Sequence, residues 1–253
     1  MVEVGDDNGT TADDLRAAIS DRTAAVHWVA YEQNPVDPNV LTLEETIEIT
    51  HGAGKLVSVD AAGQIYPLEN FGKYVKMGAD FQCIAAKYMG APHSTGFALG
   101  TKEVIEAISR HSFVGYETHR IRGIGRPHKI DRQEIMGVVA AVQAWMTTNH
   151  EDRLSVAEGQ SQDILRPLQG IPGVEATLNT NIMGHQPFGI HLKLDPDVVG
   201  FTVDDLVEKL KNGDPSIWTR AALDEPRIDI HVFGLNPGEP ELVGNAIAAL
   251  VKG

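Results

Sequence analysis

A single cysteine, Cys83, in 253 residues excludes an internal disulfide framework and any metal site built from several thiolates. No apolar run reaches the roughly 18 residues that a membrane-spanning helix needs. The opening MVEVGDDNGTTADD is acidic and has no apolar segment, so it does not read as a secretory or transit peptide. The cytoplasm is the expected compartment. Positive charge is also scarce, with 21 Lys and Arg against 35 Asp and Glu and a net charge of −14. A polynucleotide would be repelled by the average surface, and no nucleic-acid partner is expected. Internal repeats and low-complexity segments are absent. What remains is an ordinary soluble composition, 42% apolar and 22% charged, in a chain long enough for one large domain or two smaller ones.

Strand and helix signals alternate through the first half. AAVHWVAY (24–31) reads as a buried strand followed by the proline-bearing loop EQNPVDPN. Thr42 and Glu45 then form a capping box for the helix in TLEETIEITHGAG, which Gly52 or Gly54 stops. KLVSVD (55–60), DFQCIAA (80–86) and GFALG (96–100) read as strands, with LENFGKYVKMGA helical between the first two and KEVIEAISR helical after Thr101. This order predicts an α/β fold with an open, mostly parallel sheet covered on both faces. A helical stretch over 130–168, interrupted near Asn149, separates residues 1–129 from a smaller α+β domain over 169–253. In that last part GVEATLN, FGIHLKLD, SIWTRAAL and PRIDIHVF are strand-like, and VDDLVEKLKNG and GEPELVGNAIAALVKG helical.

Two residues carry chemistry. Asp60 ends one strand and Lys87 ends the next, with a helix between them, so a crossover brings both to one edge of the sheet. Ligands of doubly wound sheets sit at the carboxyl ends of strands. The small Ala61, Ala62 and Gly63 beside Asp60 leave room for a flat ring. A carboxylate and an amine around a flat ring suit pyridoxal phosphate: the amine condenses with the aldehyde, and the acid keeps the pyridine nitrogen protonated. Partial burial of Lys87 is expected to make it a better nucleophile and base. Taken alone, each residue also has a plainer reading, a solvated turn lysine and a turn-forming aspartate.

The run VSVDAAGQIYPLENFGKYVKMGADFQCIAAKYMGAPHSTGFALG resembles the central region of fold-type-I pyridoxal-phosphate enzymes. Within them it is most similar to the selenocysteine-synthase-like group, which includes D-glucosaminate-6-phosphate ammonia-lyases and L-seryl-tRNA(Sec) selenium transferases. EVGDDNGTTADDLRAAI, GIGRPHKIDRQEIMGVVAA, LKNGDPSIWTR and LNPGEPELV resemble flanking segments of the same group, so the likeness runs over nearly the whole chain. It implies that residues 1–129 are a partial cofactor-binding large domain, with Lys87 the Schiff-base lysine and Asp60 the partner of the pyridine nitrogen. Ala62 would pack on a ring face, and Ser94 or Thr95 would reach a phosphate in the same or a neighbouring subunit. Arg126, with Lys129 second, would hold a phosphate or carboxylate of the substrate. A lyase or transferase acting at Cα or Cβ of a small amino acid or phosphorylated amino-sugar acid follows, in a homodimer or larger ring. A selenium-transferase-like activity is the less favoured branch, because its tRNA substrate suits a protein at −14 poorly.

Two departures accompany the resemblance. The family usually has a hydroxyl residue three positions before the lysine, where this chain has Ile84. It also carries an N-terminal part with a glycine-rich phosphate cradle and a ring-stacking residue, which has no counterpart in these 253 residues. A relative that folds or associates without cofactor is therefore the alternative expectation. A nicotinamide-dependent enzyme on a similar sheet is disfavoured, since GIGRPH lacks the third glycine of a dinucleotide turn and no strand leads into it. The basic run HRIRGIGRPHKIDR (119–132) reads either as a loop neutralising nearby acid or as a pocket for one small anion. The ten histidines show no metal-ligand spacing, and His185 and His191 lie in strand-like surroundings. Cys83 reads as a small core residue, and Trp28 and Trp145 as core or interface anchors.

Overall fold

The computed structural model describes residues 1–6, 9–30, 40–180, 188–222 and 225–253, in two compact units, Met1–Thr147 and Thr148–Gly253. The loop EQNPVDPN and His185 lie outside the described residues.

In the first unit, threonines start the helices. Thr11 and Thr42 accept from the backbone N–H groups of Asp14 and Glu45, whose carboxylates reach back to the threonine N–H. These reciprocal caps open α1 (Ala12–Ala18) and, after β1 (Ala25–Val29), α2 (Leu43–Gly52). β2 (Leu56–Asp60), α3 (Lys73–Met77), β3 (Phe81–Ala85), β4 (Gly96–Gly100), α4 (Lys102–His111), α5 (Phe113–His119) and α6 (Arg132–Thr147) follow. The sheet order is β1-β2-β3-β4. The first three strands are parallel, because each is reached through a helical crossover. β4 is antiparallel to β3, since only a short turn with a 3-10 helix at Ala86–Met89 separates them.

One face of this sheet is covered. Val57, Val59 and Ile84 pack against Leu43 and Ile47 of α2, Tyr74 of α3, and Ala141 and Trp145 of α6. The other face is left uncovered by the described residues, where cover on both sides was expected. Val29 is 60% exposed, Leu56 47%, and His27 is exposed as well. β1 is accordingly a half-buried edge strand in which exposed and partly buried residues alternate, rather than a buried one.

Asn149 caps the helix that opens the second unit, accepting from the N–H groups of Glu151 and Asp152, and so accounts for the interruption expected there. That helix is α7 (His150–Leu165). β5 (Val174–Asn179), β6 (Gly189–Leu194), α8 (Pro196–Val199), α9 (Val203–Lys211), β7 (Arg227–His231) and α10 (Glu239–Lys252) complete the unit. The strands form an antiparallel sheet in the order β5-β6-β7. Ile190, Leu192 and Ile228 point to a core shared with Ile164 of α7, Leu206 of α9 and Ile247 of α10. SIWTRAAL, expected as a strand, is none over its described residues: Ala221 makes one isolated bridge to Ile228, and Trp218 stands 76% exposed.

Candidate active site

Asp60 is the last residue of β2, in register with Cys83 of the adjacent parallel β3. Because side chains alternate along a strand, Asp60 and Cys83 share the uncovered face, whereas Val59 and Ile84 point into the core. The Oδ1 atom of Asp60 accepts from the backbone N–H of Ala62 at 2.9 Å and from the Cys83 thiol at 3.4 Å. Oδ2 has no hydrogen-bond partner among the described residues. Ala62 also offers its carbonyl to Ala85 N–H at 3.0 Å, which ties the turn after β2 to the end of β3.

Lys87 lies two residues beyond β3, in the 3-10 helix Ala86–Met89, at the same carboxyl edge of the sheet as Asp60. The side chain is exposed, so the partial burial expected for it is not found. Its Nζ rests over the Tyr88 ring, 5.1 Å from the centroid. Thr95 is buried and donates its hydroxyl proton to the carbonyl of Pro92 at 2.6 Å, while Ser94 is exposed with a left-handed backbone (φ 66°). Ile84 is 1% exposed within the core, on the face opposite Asp60.

Arg126 and Lys129 form a separate cluster on α5. The Arg126 guanidinium stacks over Tyr116 at 4.5 Å and Phe113 at 5.7 Å, and the Lys129 amine sits 4.7 Å from the centroid of Phe113. No carboxylate forms an ion pair with Arg120, Arg122, Arg126, Lys129 or Arg132 among the described residues. Glycine is needed at 123 and 125 for another reason: a Cβ at either would lie 2.6 Å from the His111 carbonyl oxygen. No hydrogen bond or ion pair joins this cluster to Asp60 or Lys87 among the described residues.

The supports of the site escaped the sequence reading. Gln64, Asn70 and Gln82 are buried polar side chains linked in a relay. Gln64 Nε2 donates to the Ala30 carbonyl at 3.2 Å, Asn70 Nδ2 to Gln64 Oε1 at 3.4 Å, and Gln82 Nε2 to the Asn70 carbonyl at 3.0 Å. Buried amides persist only when their hydrogen bonds are made, and here they brace the segment after Asp60. α6 adds a second brace: Trp145 Nε1 donates to the Ile65 carbonyl at 2.8 Å, and Gly137 lies so near the turn after Lys87 that a Cβ would meet Pro92 Cδ at 2.7 Å. Cys83, read as a core residue, is half-buried and bonded to Asp60. A polar residue inside an apolar strand run, as Gln82 is in DFQCIAA, was the available signal.

No family model matches the chain. Among curated proteins it is 27% identical over 252 residues to a 5'-C-glycyluridine monooxygenase-decarboxylase of a Streptomyces species, covering 99% of this chain and 60% of that protein. It is 26% identical over 240 residues to the D-glucosaminate-6-phosphate ammonia lyase of Salmonella typhimurium (strain 14028s / SGSC 2262), covering 94% and 58%. The solved structure of a D-glucosaminate-6-phosphate ammonia-lyase superposes with a TM-score of 0.73 at 23% identity, over 99% of this chain and 63% of that one. A SepCysS–SepCysE N-terminal domain complex gives 0.59 at 17%, over 99% and 68%. The chain thus has the fold of fold-type-I pyridoxal-phosphate enzymes, in part: it spans about three-fifths of the length of the curated relatives it matches.

Proposed function

We propose that the chain is a pyridoxal-phosphate-dependent lyase or transferase acting at Cα or Cβ of a small amino acid or phosphorylated amino-sugar acid. The observation that carries this reading is the placement of Asp60 and Lys87 at one carboxyl edge of adjacent parallel strands, with Asp60 Oδ2 unengaged. The residues present suit the ring end of the cofactor. Asp60 is a carboxylate able to hold a proton on the pyridine nitrogen, Ala62 is small enough to lie under a ring, and Lys87 is an amine within a solvent-reached turn. The phosphate end has less: the Thr95 hydroxyl proton is already donated to Pro92, and Ile84 offers no donor. When bound, pyridoxal phosphate supplies an electron sink for the pair released as a bond at the substrate Cα breaks.

The protein's own contribution would be proton handling and orientation. Asp60, as a carboxylate, would hold a proton on the pyridine nitrogen, and Lys87 would be the amine that holds the cofactor and, when free, the base for the substrate Cα proton. Arg126 and Lys129, held against Phe113 and Tyr116 and without an acidic partner among the described residues, would engage a substrate phosphate or carboxylate. The two curated relatives carry out differently named reactions, so the reading stays at the level of the class. A soluble homo-oligomer in the cytoplasm is part of this proposal; no described helix is long and apolar enough to cross a membrane. The thin provision for phosphate and the bare sheet face favour one rival, a relative that folds or associates without cofactor. Titration of the purified protein with pyridoxal phosphate separates them. The class predicts a saturable visible absorbance band in wild type that Lys87→Ala loses, and a wild type colourless at excess cofactor supports the rival.

A further inference from the structure

We infer that Cys83 is a positioning residue for Asp60, its thiol holding one carboxylate oxygen so that the other faces the ligand. The inference rests on the proposed cofactor site. Its geometric basis is that the two donors on Asp60, Ala62 N–H and Cys83 S–H, both converge on Oδ1. A carboxylate held by one donor can swing about its Cα–Cβ and Cβ–Cγ bonds. A second donor on the same oxygen, from the neighbouring strand, restricts that rotation and leaves Oδ2 directed away from both.

The register makes this contact a property of the sheet rather than of a passing rotamer. Asp60 and Cys83 are direct partners across β2 and β3, and β3 is itself fixed on its other side by pairing of Cys83 with Ala98 of β4. Alternation sends both side chains to the uncovered face. The thiol also stays a donor under ordinary conditions. Burial pushes it above the usual thiol range, and the Asp60 charge adds to that effect against an opposing backbone hydrogen bond from Ala61. A thiolate would be an acceptor facing a carboxylate and would repel it.

Because Cys83 is the chain's only cysteine, alkylation reports on it without ambiguity. In the full chain without cofactor, the rate of iodoacetamide reaction against pH should place the thiol midpoint above the usual value of about 8.5. Asp60→Asn should lower that midpoint and speed alkylation at neutral pH; an unchanged midpoint overturns the coupling whether or not cofactor binds. The second arm adds pyridoxal phosphate. Cys83→Ala should weaken binding about threefold to tenfold, the factor expected for one lost hydrogen bond, and shift the pH profile of the bound absorbance band. Cys83→Ser, which keeps a donor at the same place, should restore both. Binding and pH profile equal to wild type in Cys83→Ala would overturn the positioning role while leaving the proposed class intact. A wild type that binds no cofactor would overturn the class and the ligand-facing half of the inference, the alkylation arm still deciding the contact itself.

Discussion

At the scale of single residues, the role proposed for Asp60 turns on what remains free after its hydrogen bonds are counted. Among the described residues Asp60 keeps one oxygen unengaged, whereas Asp229 in the second unit keeps neither. The latter accepts from His191 at 2.6 Å and from two nitrogens of Arg227 at 2.8 and 3.2 Å. Burial pushes the Asp229 carboxyl up, but the hydrogen bonds from Arg227 and His191 outweigh it and hold the group below the usual carboxylate range. A carboxylate with a depressed folded-state value stabilises the fold above the unfolded value near about 3.9, and that contribution is lost as pH falls through the folded one. Asp229→Asn should therefore lower the urea midpoint at neutral pH, with the gap to wild type closing below about pH 4. Parallel curves down to the acid limit would count against this assignment. The placement of Asp60 and Lys87 at one edge of the sheet was legible in the sequence because a charged residue ending an apolar strand run is conspicuous. The contact of Cys83 with Asp60 was not, because a cysteine among apolar neighbours looks the same whether its thiol meets a methyl group or a carboxylate.

At the scale of elements, the site is a matter of two turns and what clamps them. α3 starts from Gly72, which has no side chain to cap it, and the missing cap comes from the sheet. Gln82 Oε1 accepts from the N–H groups of Tyr74 and Val75 at 3.1 and 3.4 Å, both orphan donors of the first turn, while its Nε2 holds the Asn70 carbonyl. Gln82→Leu would keep the volume and strand these groups in a fully buried position. A loss of roughly 2–3 kcal/mol is expected, read from denaturant midpoints, with a loss under about 0.5 kcal/mol showing that the relay does not hold the turn. The capping boxes at Thr11 and Thr42 follow a local rule, and the one at Thr42 was readable from the sequence. A cap supplied by a glutamine on a neighbouring strand was not, since only the folded sheet brings it near. SIWTRAAL failed for a related reason: its strand-like composition cannot signal that, among the described residues, only Ala221 of the segment reaches the three-stranded small sheet.

At the scale of the whole molecule, the α/β order, the mostly parallel sheet and the smaller α+β unit were legible because alternating strand and helix signals leave few topologies open. The cover of the sheet was not legible, because apolar patterning of β1 and β2 is the same whether or not a partner layer lies above them. The central claim is that this fold brings one particular amine, among many exposed lysines, to the cofactor. Borohydride reduction in the presence of limiting pyridoxal phosphate, followed by peptide mapping, tests it most directly. The account predicts one dominant pyridoxyl adduct on the peptide containing Lys87, absent from Lys87→Ala and diminished in Asp60→Ala. An adduct scattered over surface lysines, or one undiminished in Lys87→Ala, would contradict it.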